Sequence, residues 1–99
     1  MKVKVKFEGN KLDVKLMAKH PMHTGRVMDP VKNTLIPANF IKTLTCHVGD
    51  KKIFQANFGT GISKDPFLKL TFLNRSAGEV LKFEWTDLSG ESLVEEVTL

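Results

Sequence analysis

Cysteine is nearly missing from this chain: Cys46 is the only one. A lone thiol forms no internal disulfide, so it neither staples the fold nor marks a redox compartment. Also missing is any apolar run near the roughly 20 residues of a membrane-crossing helix. The start, MKVKVKFEGN, alternates where a secretory signal would carry a continuous apolar stretch. No basic block stands unopposed. Residues 1–20 hold six lysines against two acids (+4), and residues 79–99 hold one lysine against six acids (−5). The middle holds eight cations against three acids (+5), for a net +4. A nucleic-acid binder keeps its cations together and unopposed, so that class is disfavoured. The acidic end is expected to lie beside the basic start, as opposite charges on paired strands do. Helical periodicity, repeats and low-complexity segments are absent as well.

What is present is a period of two. Val3, Val5 and Phe7 share one face of the first strand, with Lys2, Lys4, Lys6 and Glu8 on the other. Gly9-Asn10 turns the chain, and Leu12, Val14, Leu16 and Ala18 resume the pattern, a hairpin signal. Leu44, Cys46 and Val48 alternate with Thr43, Thr45 and His47; Phe54, Ala56 and Phe58 follow Gly49-Asp50. Leu68, Leu70 and Phe72 mark a further strand, Leu81, Phe83 and Trp85 another, and residues 91–98 the last. Glu95 interrupts that last alternation, which predicts a bulge or a sheet edge. Seven strands with turns every 8–12 residues imply an all-β, immunoglobulin-like antiparallel sandwich as a single domain over residues 1–99, without the cysteine pair of an antibody domain. The expected core is Val3, Val5, Phe7, Leu12, Val14, Leu16, Leu44, Leu70, Phe72, Leu81, Phe83 and Trp85. Ile41, Ile53, Phe67 and Leu73 fall off the apolar faces and are expected to form an exposed patch. Two loops remain, 19–38 and 59–66. A structureless stretch as long as the first is rare in a compact domain, so a small hairpin is expected within it, RVMD and TLIPA around PVKN.

No catalytic constellation assembles from these residues. His20 and His23 lie three apart in KHPMHTG, but Pro21 excludes the helix that would present both to a metal. They read as exposed loop histidines. A metal-binding or electron-transfer sandwich using His20, His23 and Met22 is the alternative class. Cys46 shares an apolar strand face and reads as a small, inert hydrophobe. Ser63-Lys64 has the residue types of a serine–lysine dyad without a neighbouring base. Asp87 and Gly90 read as turn residues. Loops on a rigid sandwich are where binding resides, so a binding module is the inference, with neither catalysis nor cofactor. In the first loop Pro21 stiffens the chain, Gly25 permits the turn, and His20 and Met22 are expected to offer a polar and an adaptable apolar surface.

The four stretches HPMHTG, IPANFI, SKDPFL and WTDLSGES, in this order and spacing, resemble the SoxZ family of the Sox thiosulfate-oxidation pathway. The resemblance covers nearly the whole chain. It implies an immunoglobulin-like partner of SoxY, the subunit whose glycine-flanked C-terminal cysteine carries sulfur between enzymes. This chain ends VEEVTL, so the resemblance casts it as the non-catalytic half, which stabilises SoxY and helps present its arm. It further implies a periplasmic location, reached by export with SoxY, and transient contacts with other Sox enzymes. Neither nucleic acid nor membrane is an expected partner, and a homodimer is expected in SoxY's absence. The matching positions are His20, Pro21, Met22, Thr24 and Gly25; Ile36, Pro37, Ala38 and Phe40; and Ser63, Lys64, Asp65, Pro66 and Phe67. Of these the first and third groups are the candidate partner-binding residues. His23 occupies the variable place of its motif.

Overall fold

Alternation along the chain becomes two facing sheets. The computed structural model describes residues 1–99 and contains nine strands: β1 (Lys2–Glu8), β2 (Lys11–Met17), β3 (Met28–Asp29), β4 (Thr34–Leu35), β5 (Ile41–Val48), β6 (Lys51–Asn57), β7 (Phe67–Leu73), β8 (Val80–Asp87) and β9 (Ser92–Thr98). One sheet has the order β1-β2-β7, the other β6-β5-β8-β9, and all pairings are antiparallel. This three-on-four division of seven long strands is an immunoglobulin-type sandwich. The remaining two strands form the small hairpin expected inside residues 19–38, with Met28 opposite Leu35. Asp29 shapes its turn: Oδ1 accepts the amides of Val31 (2.9 Å) and Lys32 (3.2 Å). No other strand lies against β3 or β4, and the molecule is elongated, 53 × 24 × 17 Å.

The core is built where the apolar faces meet. Leu12, Val14 and Leu16 of β2 are buried together with Leu44, Cys46, Leu81, Phe83 and Trp85 of the other sheet. Burial weakens toward the edges. Val3, Val5, Leu70 and Phe72 are only partly buried, and Phe7 is 40% exposed, because β1 and β7 are edge strands with one neighbour each. Glu95 is accounted for in the same way. It lies on β9, the edge of its sheet, in an unbroken register that pairs Phe83 with Glu95. The acidic end does not pair with the basic start. β9 pairs only with β8, and β1, in the opposite sheet, comes near β9 without pairing with it.

Two of the four side chains expected in a surface patch are instead inside. Ile41 is fully buried and Ile53 packs against the core. The register shifts between Ile41 and Thr43 in the β5–β8 ladder, and between Cys46 and His47 in the β5–β6 ladder. An extra residue at a bulge inverts the alternation beyond it, which turns both isoleucines inward. Phe67 and Leu73 remain exposed, at the two ends of β7.

Candidate functional site

One end of the sandwich gathers all four of the quoted stretches into a single hydrogen-bonded knot. Its centre is Asp87, the last residue of β8, fully buried. Asp87 Oδ1 accepts the Ser89 hydroxyl (2.7 Å) and the Glu91 amide (2.9 Å). Its Oδ2 accepts from His20 Nε2 (3.0 Å) and from Asn39 Nδ2 (3.4 Å). Burial alone would raise the carboxyl's pKa. The Ser89, His20, Glu91 and Asn39 donors outweigh it and hold the group at about 2.

The same network fixes the state of His20. Its Nδ1 accepts the Met22 amide (3.0 Å), so the proton of the neutral ring sits on Nε2, which donates to Asp87. The His20 backbone is clamped as well. Its N–H donates to Asp65 Oδ1 (3.0 Å), and the Asp65 amide donates back to its carbonyl (2.9 Å). Trp85 stands edge-on against the imidazole, centroids 5.2 Å apart. The Trp85 indole nitrogen is the one buried side-chain polar atom without a hydrogen-bond partner.

Around this centre the loops close on each other. His23 and Asn39 exchange backbone hydrogen bonds of 2.7 and 2.9 Å. Asn39 Oδ1 accepts the Ser89 amide (3.2 Å), and the Phe40 carbonyl accepts the Leu88 amide (3.0 Å). Met22 adopts φ 53° and tucks its side chain inside, where Sδ accepts the Ile41 amide (3.3 Å). Gly25 has φ +83°, and a Cβ there would come within 3.1 Å of Ala38 Cβ. A positive φ and a close neighbour both require glycine at that place.

The candidate residues therefore divide. His20, Met22 and Pro66 are buried within the chain itself, so the expected exposed His20 and Met22 surface does not exist. Asp65, Thr24 and Gly25 are partly covered. Only Pro21, Ser63, Lys64 and Phe67 face solvent, and Phe67 is 61% exposed. The metal alternative also fails on geometry. Both His20 ring nitrogens and the Met22 sulfur are engaged by protein groups, and no three His, Cys, Asp or Glu side chains cluster as ligands. Asn39 and Ser89 belong to the knot although neither stood out in the sequence. Their place in the quoted stretches IPANFI and WTDLSGES was the available signal.

The convergence of these four stretches into one structural unit accords with the comparison to known families. Residues 1–98 match the family described as sulphur oxidation protein SoxZ. The chain belongs to the SoxZ family. Membership ties it to sulfur oxidation, and it spans the whole sandwich rather than one motif. A comparison with curated proteins returns no match.

The chemistry available to a SoxZ chain of this geometry is limited at its one thiol. Cys46 is buried, and burial pushes its pKa up to about 11 despite the opposing charge of Arg75. A thiol in that state is neither ionised nor reachable at neutral pH. Ser63 and Lys64 are exposed loop residues, and no base accompanies them in the ion pairs or hydrogen bonds of the fold.

Proposed function

We propose that this chain is the non-catalytic partner subunit of SoxY in the sulfur carrier of thiosulfate oxidation. It stabilises SoxY, helps present the cysteine arm to Sox enzymes, and reaches the periplasm by export with SoxY. The observation that carries the reading is the distribution of exposed apolar side chains. Val27, Met28, Val31 and Leu35 are all more than half exposed on or beside the β3–β4 finger, with Val31 at 90%. Permanent partners present surface resembling a core cut in half, and an apolar projection on a small domain marks an interaction site. The knot described above roots that finger at both ends, through His23 and Asn39.

The test is a Val31→Ser/Leu35→Ser variant titrated with SoxY. The expected result is binding weakened by about tenfold or more, with a melting temperature close to that of the parent chain, since both side chains are exposed in the free subunit. Unchanged affinity would remove the finger from the interface. Without SoxY, the same finger covers itself in a two-fold pair. Light scattering over a dilution series would then show a dimer that the double variant lacks.

A further inference from the structure

Three lysines meet in one cross-strand row on the outward face of the β1-β2-β7 sheet. Lys4 stands opposite Lys15, and Lys15 opposite Lys69. All three are exposed, and none takes part in the ion pairs of the molecule, which are Lys6–Glu8, His20–Asp87 and Arg75–Glu79. The adjacent row, Lys6–Asp13–Thr71, holds a single acid, whose Oδ1 accepts the Thr71 hydroxyl (3.1 Å) and makes no ion pair with the three lysines. Neighbouring strands lie about 4.8 Å apart, and like charges placed directly opposite destabilise a sheet. Lysine on an edge strand is a usual guard against unwanted strand pairing, and Lys4 on β1 fits that role. Lys15 does not, since β2 is the central strand of the three. The face is hollowed around the row, with a depression of ≈ 580 Å³.

We propose that this face docks an acidic, extended segment of a different protein. Lys2, Lys4 and Lys6 recur at every second residue of β1, about 7 Å apart, which is the spacing of carboxylates at alternate positions of an extended chain. At one end the row Lys2–Met17–Phe67 exposes an aromatic ring beside the cations, a seat for an apolar side chain neighbouring the acids. Glu8 and Asp13 interrupt the basic face toward the end opposite Phe67; an acidic peptide can set uncharged residues against them, whereas a phosphate backbone carries charge at every step. A second copy of this chain is a poorer occupant. Its own β9 acid Glu96 already stands opposite Lys82, and a basic face meeting an acidic face of another copy forms an open, non-closing contact. The face does not include the apolar finger, so this docking does not depend on how SoxY is held.

The probe is a synthetic twelve-residue peptide (about 40 Å extended) with glutamate alternating with valine, titrated by fluorescence anisotropy at low and high salt. The variants are Lys4→Gln/Lys15→Gln/Lys69→Gln, and a control that removes equal charge elsewhere, Lys32→Gln/Lys42→Gln/Lys51→Gln. The first variant is expected to lose about tenfold in affinity and the control less than about twofold, with binding weakened by salt. Lys15→Gln alone is expected to raise the melting temperature at low salt, an increment that vanishes at high salt. Equal losses in the two triple variants would reduce the effect to net charge and overturn the proposal. Tighter binding of duplex DNA than of the peptide would overturn it too, by assigning the face to phosphates. No rise in melting temperature for Lys15→Gln would remove the like-charge argument on which it stands.

Discussion

Asp87 is a buried carboxylate whose only ring partner is a neutral imidazole. The four donors around it replace the water it gave up, which is the condition for burying such a group at all. The folded pKa of about 2 lies below the ordinary carboxylate value. A group shifted downward on folding contributes its stabilisation in full above its unfolded pKa, about 4, and loses it as pH falls toward the folded value. The parent chain is therefore expected to exceed Asp87→Asn in stability at pH 7, with the gap closing between pH 4 and pH 2. Urea melts at a series of pH values would show it, and a gap independent of pH would contradict the assignment. His20→Ala strips one donor from a buried charge and opens a void, at an expected cost of about 3 kcal/mol in the same melts. None of this was legible locally. Pro21 and Gly25 mark a loop, and a loop histidine reads as exposed. Its burial comes from a partner 67 residues away. Cys46 was legible, because its place between Leu44 and Val48 on an apolar face already implied an inert thiol. Alkylation of Cys46 is expected to be slow in the native protein and fast in urea; rapid native labelling would count against its burial.

Elements follow the same division between local and distant causes. Period-two patterning placed all seven long strands and the hairpin turns between them. It also located the β3–β4 hairpin, because an unstructured stretch of that length would be exceptional. What patterning missed were the two bulges, which turn Ile41 and Ile53 from the outer to the inner face. A bulge is a mismatch between two strands, so neither strand's sequence carries it alone. At the root of the finger, Gly25→Ala places a Cβ 3.1 Å from Ala38 Cβ in a backbone with φ +83°. The expected cost is about 1–2 kcal/mol, read as a lower melting temperature. Binding of SoxY should weaken with it if the finger's anchorage matters to docking.

At the scale of the whole molecule, the four family-like stretches and the exposed surface have separate tasks. The stretches that resemble SoxZ knot the loops at one end and are mostly spent on the fold. The surfaces proposed for partners are the apolar finger and the lysine face, which differ in chemistry. The proposed role, one protein held permanently and others met in passing, calls for one surface of each kind. The family is that of a sulfur-oxidation protein, and its only thiol is shut inside the core. On the proposed reading, the sulfur of the complex resides on another chain. Native mass spectrometry of this chain mixed with SoxY, after incubation with thiosulfate and the enzyme that loads it, tests that claim most directly. The account predicts a complex of the two chains in which the sulfur mass increment sits on SoxY and this chain keeps its unmodified mass. A sulfur adduct on Cys46, or no complex at all, would contradict it.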